Sequence, residues 1–181
     1  MKKIYTNYKK RNNTFIIIIS ILLLSIFIFF YLYNKNKIQY INEKDKDGLT
    51  PIMKLLINNK DTKNSIDSKD IRKFIFENRR NIDYSIVDNN KKTLLMYASF
   101  YGDSDIIREI AKNCKDCINS VDDDGRSALH IAVYYNNINA VKTLIELGAD
   151  NNLKDNYNLK AIDLAEFEGY EDIYSFLYSL K

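Results

Sequence analysis

Hydrophobic positions follow two regimes along the chain. From Phe15 to Leu32 they are continuous: FIIIISILLLSIFIFFYL has no charge, and its only polar groups are Ser20, Ser25 and the Tyr31 hydroxyl. Further on they recur with a helical period. Ile106, Ile107, Ile110 and Ala111 fall at i, i+3, i+4 spacing, as do Ala140, Val141, Leu144 and Ile145, and Ile173, Phe176, Leu177 and Leu180. Each of these stripes follows a shorter apolar segment, two of which open on a hydroxyl (Thr93, Ser127). The pattern predicts an all-α chain built of short helix pairs behind one long apolar helix.

The continuous run is about 27 Å long as a helix, close to the thickness of a bilayer core. It exceeds the ~7–15-residue apolar region of a cleaved signal peptide, and no A-x-A-like cleavage site follows in YNKNKIQY. The expected organisation is a basic tail (1–14), a single transmembrane helix (15–33), a linker (34–40) and a repeat domain (41–181). Lys2, Lys3, Lys9, Lys10 and Arg11 precede the run, and Lys35, Lys37, Lys44 and Lys46 follow it. The positive-inside rule favours a cytoplasmic N-terminus with the body on the far side. Apart from the five N-terminal cations, the chain carries two more acidic than basic residues. Its body therefore has no basic footprint for nucleic acid.

The periodic part repeats. DKDGLTPIMKLL, DNNKKTLLMYAS, DDDGRSALHIAV and DNYNLKAIDLAE begin at Asp45, Asp88, Asp122 and Asp155. Their sixth positions, Thr50, Thr93, Ser127 and Lys160, are spaced by 43, 34 and 33 residues. Each block reads as a turn feeding a helix. Gly48 and Gly125 suit a left-handed turn position, and Thr50, Thr93 and Ser127 are placed to cap the helix that follows. Pro51 falls at the first helical position, where its missing N–H costs nothing. Gly102, Asn136 and Gly169 then break the chain, Asp103 is an N-cap candidate, and Gly148 is a C-cap.

On these residues the chain resembles the ankyrin repeat family, whose pattern is roughly D-x-x-G-x-T-P-L-H-x-A with a G-A-D-V-N close. The third block carries the resemblance best: Asp122, Gly125, Ser127, Leu129, His130, Ala132, then Leu144, Ile145, Gly148, Ala149, Asp150 and Asn152. It extends over residues 41–181, with repeats at about 45–83, 88–119, 122–152 and 155–181. The first repeat departs through a polar insertion, NNKDTKNSIDS, and the fourth lacks Gly, Thr and Pro at the signature positions. The resemblance implies an α-solenoid of about four helix-turn-helix repeats. It also implies a structural role for Thr50, Pro51, Thr93, Ser127, His130, Gly125 and Gly148, with the His130 ring hydrogen-bonded between repeats.

Catalytic and metal chemistry find little footing. His130 is the sole histidine, and a metal site needs three or four ligands. DDDG lacks the alternating oxygens and closing Glu of a calcium loop. Cys114 and Cys117 lie in a turn as CKDC, and the sequence leaves open two free thiols or a local disulfide. No cofactor is expected. What remains is surface. By the resemblance, the residues closing each first helix face a concave groove: Phe100 and Tyr101, Tyr134 and Tyr135, then Phe167. The same aromatics could instead pack between repeats. The turn tips add Asn89, Asn90, Asp123, Asp124 and Arg126, with Lys46, Asp47, Asn156 and Tyr157. The expected function is non-catalytic binding of a protein partner, held at a membrane by residues 15–32. Two rivals stay open: a self-associating membrane protein acting through its apolar helix, which lacks G-x-x-x-G, and a membrane-bound enzyme with an unrecognised site.

Overall fold

The computed structural model of the chain describes residues 2–59 and 68–180, with side chains in the first helix from residue 22 onward. Most of the insertion in the first repeat (60–67) therefore lies outside the described residues. So do the side chains of the basic tail and of the first seven positions of the apolar run.

The chain divides into two compact units, Met1–Tyr40 and Ile41–Lys181. The first is helix α1, Lys2–Asn42, which continues into the start of the second unit. An uninterrupted helix suits a segment with neither Gly nor Pro, since both would weaken its interior. Leu22 to Tyr33 are large apolar or aromatic side chains apart from Ser25, and they are exposed; Phe27 and Phe29 keep about two thirds of their surface open (68% and 66%). Among the described residues, no helix is long and apolar enough to cross a membrane. The described side chains of the run from Phe15 to Leu32 are those of Leu22 to Leu32.

The second unit is a two-layer helical stack. Inner helices α2 (Pro51–Asn58), α4 (Leu94–Tyr101), α6 (Ala128–Tyr134) and α8 (Ala161–Glu168) alternate along the chain with outer helices α3 (Ser68–Asn78), α5 (Ser104–Asn113), α7 (Ile138–Glu146) and α9 (Glu171–Tyr178). Each inner helix packs on the next inner one, each outer helix on the next outer one, and each pair on itself. The hydrophobic stripes meet between the layers. Leu56, Leu95, Ala98, Ile107, Ile110, Leu129, Ala132, Leu144, Ala165 and Ile173 are completely buried. Small residues in the inner helices (Ala98, Ala128, Ala132, Ala161, Ala165) let successive helices approach closely. The driving term is burial of this apolar surface, about 25 cal/mol per Å² removed from water.

Two features of the outer layer differ from the sequence reading. Helix α3 buries Ile71 and Ile75 four residues apart, a stripe hidden in the sequence by the polar insertion before it. Leu180, assigned to the packed face of the last helix, is instead 41% exposed. Helix α9 ends at Tyr178, with Ser179 as its C-cap, so Leu180 falls beyond the last turn and off the stripe.

Local chemistry sets the helix boundaries. Thr50, Thr93 and Ser127 are extended N-caps whose hydroxyls accept from Met53, Met96 and His130 backbone N–H. At the fourth repeat Lys160 cannot do this, and the Asp163 carboxylate accepts the Lys160 N–H instead (2.9 Å). Asp103 caps α5 by accepting from Asp105 and Ile106. Gly102 and Gly169 close α4 and α8 in left-handed conformations, and Asn136 takes the corresponding place after α6 with φ 54°. Gly148, φ 91°, follows α7; its N–H and that of Ala149 satisfy the carbonyls of Ile145 and Leu144.

Candidate protein-binding groove

The groove is built upward from one aspartate per repeat. In each turn Oδ1 of the leading Asp accepts two backbone N–H groups, two and four residues on. Asp45 takes Asp47 and Leu49, Asp88 takes Asn90 and Lys92, Asp122 takes Asp124 and Arg126, and Asp155 takes Tyr157 and Leu159 (2.8–3.0 Å). This clasp closes each turn and fixes the residue just before the cap. The four residues so placed are Leu49, Lys92, Arg126 and Leu159, so the two middle repeats present cations there.

The second oxygen of the clasp shows how the repeats diverge. The Lys54 ammonium lies 2.8 Å from Asp45 Oδ2, and the Tyr97 hydroxyl donates to Asp88 Oδ2 at 2.6 Å. The equivalent residue of the third repeat is Ile131, and Asp122 Oδ2 is buried without a hydrogen-bond partner. The Lys54 interaction and the Leu49 N–H hold the Asp45 carboxyl below the usual carboxylate range. Burial, and then the hydrogen bond to Asp88, push the Tyr97 phenol well above its ordinary value, so it remains a donor.

Successive tips are tied by single backbone hydrogen bonds. Asn89 N–H donates to Asp47 O (3.2 Å), Asp123 N–H to Asn90 O (3.0 Å) and Asn156 N–H to Asp124 O (3.0 Å). The Asn89 and Asn156 amides add a second bond, to Lys46 O and Asp123 O. Asn89, Asn90, Asp123 and Asp124 thus join neighbouring turns through their backbones. Ion pairs Lys91–Asp123 (2.6 Å) and Arg126–Asp124 (3.4 Å) join side chains of these turns.

Below the tips, the inner helices of repeats one to three enclose a cleft of about 330 Å³. Its walls are Ile57, Met96, Tyr97, Phe100, Ile131, Tyr134 and Tyr135, with Lys92 and Arg126 at the clasp positions. Phe100 and Tyr135 meet edge to face with centroids 4.5 Å apart, and Tyr135 meets Tyr134 likewise at 5.1 Å. The Arg126 guanidinium carbon is 5.7 Å from the Tyr134 ring centroid. Edge-to-face pairs and a cation near a ring face are favoured by the aromatic quadrupole.

Of the groove residues expected from sequence, the cleft brings together Phe100, Tyr134, Tyr135 and Arg126. It does not include Tyr101, which is partly buried against the core, or Phe167, which is 80% exposed on α8 away from it. Sequence reasoning missed Ile57, Lys92, Met96, Tyr97 and Ile131. Tyr97 and Ile131 sit four residues after the cap, on the flank between the buried stripe and the helix end. Lining up Lys54, Tyr97, Ile131 and Leu164 in the repeat alignment would have singled out that flank.

His130 lies inside the stack, 1% exposed. Its Nδ1 accepts the Ser127 N–H (3.3 Å), and its Nε2 is 3.1 Å from Leu159 O of the next repeat. A neutral ring protonated on Nε2 satisfies both contacts. Burial holds its pKa below the ordinary 6.5. Asn137 makes an analogous link one boundary earlier, donating to Ser99 O and Phe100 O (2.9 Å each). Cys114 and Cys117 lie side by side at the short turn Lys115–Asn119 after α5, with Cα atoms 5.4 Å apart, a spacing that a disulfide can span. Among the described residues, no group of three or more His, Cys, Asp or Glu side chains could hold a metal.

Comparison with known proteins agrees with this architecture. A family model described as ankyrin repeats (3 copies) matches residues 64–155 and 114–180. The chain is 37% identical over 65 residues to Notch-regulated ankyrin repeat-containing protein B of Danio rerio, covering 36% of this chain and 59% of that protein. It is 35% identical over 72 residues to alpha-latrotoxin-Lg1a of Latrodectus geometricus, covering 40% of this chain and 5% of the toxin. It is 53% identical over 49 residues to potassium channel AKT1 of Arabidopsis thaliana, covering 27% of this chain and 6% of the channel. The matched region thus spans from about a twentieth to about three fifths of these relatives' own lengths. With helix pairs, clasped turns and a matching family model over most of its length, the chain belongs to the ankyrin repeat family.

Proposed function

We propose that the protein is a non-catalytic binding module that holds a protein partner in the cleft between its second and third inner helices and at the adjoining turn tips. One observation carries this reading: the aromatic cleft of about 330 Å³ formed by Phe100, Tyr134, Tyr135, Tyr97 and their neighbours on a rigid stack. Aromatic side chains around a pocket are the residues that most often dominate binding energy. Because the backbone under them is fixed by caps and clasps, association orders little of this chain. Phe100→Ala and Tyr135→Ala should each weaken capture of the partner while leaving far-UV ellipticity unchanged. Unfolding in both variants would assign these rings to the core and remove the proposal.

The reading includes a membrane tether through residues 15–32. Its support is the uncharged run itself together with the unbroken helix Lys2–Asn42, whose described apolar side chains are exposed. Outward-facing apolar side chains on a helix suit lipid. The positive-inside rule favours an N-terminus in the cytoplasm and repeats across the membrane. Alkaline carbonate extraction and protease digestion of sealed vesicles test both statements. Release by carbonate removes the tether, and protection of the repeats on the cytoplasmic side reverses the orientation.

A further inference from the structure

We infer that the cleft receives a protein segment carrying an acidic side chain next to a large apolar one, the carboxylate meeting Lys92 and Arg126 and the apolar group entering beside Phe100 and Tyr135. The inference rests on the groove reading above and adds the chemistry of the partner.

The first argument is the distribution of accessible charge. Six acids lie on or beneath the three turns around the cleft; in the first, Asp45 is paired with Lys54 and Asp47 is exposed at the tip. Asp88 and Asp122 are 6% and 4% exposed, and both are engaged by turn N–H groups. Asp123 is paired with Lys91. Asp124 is exposed in the third turn, 3.4 Å from Arg126. A pair in that setting is held weakly and exchanges readily for another carboxylate. Lys92 enters no ion pair among the described residues. Of the two half-buried cations that line the cleft, one is thus outside any ion pair and one is in an exchangeable pair, while Asp88 and Asp122 beneath them are covered. The corresponding turn residues on either side, Leu49 and Leu159, are neutral, which confines the cationic point to the centre of the stack.

The second argument is the juxtaposition of charge and apolar wall. Arg126 is near the Tyr134 ring, and a guanidinium beside an aromatic face still directs its N–H fork outward to a carboxylate. The wall next to it is made by Phe100, Tyr135 and Ile131, and the volume of about 330 Å³ admits a Leu or Phe side chain. A basic segment would meet like charge at the same place, which disfavours it strongly.

The test uses the full-length protein in neutral detergent micelles. Three fluorescein-labelled peptides share a central Phe-Leu pair, flanked by two Glu, two Gln or two Lys on each side, and binding is read by fluorescence polarisation. The Glu peptide should bind at least about tenfold tighter than the Gln peptide, and the Lys peptide weakest, as expected for charge complementarity at a rim. Lys92→Gln and Arg126→Gln should each shrink the Glu-over-Gln preference, and 0.5 M salt should shrink it too. Equal binding of the three peptides, preference for Lys, or binding of none would overturn the inference. If Phe100→Ala and Tyr135→Ala abolish binding of all three peptides alike but charge has no effect, the groove reading stands and the acidic partner falls. If a Glu preference survives both aromatic substitutions, the groove reading itself falls.

Discussion

Replacing His130 tests how the third and fourth repeats are joined. The ring lies 1% exposed and serves two backbone groups, the Ser127 N–H in its own turn and the Leu159 carbonyl of the next. His130→Ala leaves the buried Ser127 N–H without its acceptor and the half-buried Leu159 carbonyl without its donor. A stranded buried polar group costs about 1–3 kcal/mol, less where water reaches it. The expected loss is therefore about 2–4 kcal/mol. The pH dependence sharpens the test. Burial lowers the pKa of His130 below 6.5 in the folded protein, so between that value and 6.5 the unfolded chain binds the extra proton. Stability contributed by the neutral ring is then full above pH 6.5, declines as pH falls through this window, and levels off below the folded pKa. Urea unfolding of the full-length protein, followed by far-UV ellipticity from pH 8 to 5, compares the wild type with His130→Gln. The wild type should lose stability below pH 6.5 by more than the variant does. Parallel pH profiles for the two proteins would refute the buried neutral ring.

Other expectations follow from the same geometry. Leu129→Ala, at a completely buried position, should destabilise by about 2–5 kcal/mol in the same urea assay; a change near zero would contradict its place between the layers. Gly125 and Gly148 both have positive φ, but a Cβ on Gly125 would meet Asn156 N at 2.9 Å, whereas one on Gly148 meets nothing within 4 Å. Gly125→Ala should therefore cost clearly more than the roughly 1 kcal/mol of left-handed strain expected for Gly148→Ala, and equal midpoints would dismiss the tip contact. A bond between Cys114 and Cys117 closes a loop of sequence separation 3, so its reduction should lower stability by no more than about 2 kcal/mol. Thiol titration of the denatured chain, with and without reductant, checks that the bond is present.

The helix boundaries were legible because they depend on neighbours in sequence. Thr93, Ser127 and Asp103 each cap a helix two or three residues away, and Asn136 adopts the left-handed turn its side chain tolerates. Leu180 was misplaced because periodicity continues through a helix end that only the final hydrogen bonds define. The groove was half legible. Phe100, Tyr134 and Tyr135 are conspicuous as exposed-end aromatics, but Lys92, Tyr97 and Ile131 reach the cleft only because the stack superposes one repeat on the next. Tyr101 and Phe167 occupy the same sequence slots as Tyr135 and Tyr134, yet one turns to the core and the other lies off the cleft. Pairwise placement across repeats, which no single block encodes, separates them.

The tip ladder has a mechanical consequence. Each turn is joined to the next by one backbone hydrogen bond, helped at two of the three steps by an asparagine amide. Load applied along the stack passes through these joints in series, and a series of springs yields first at its softest member. The step from Asn90 to Asp123 lacks the amide, and its second link is the Lys91–Asp123 ion pair instead (2.6 Å). Salt screens an ion pair far more than a backbone or amide hydrogen bond, so raised ionic strength softens this joint while its two neighbours keep their links.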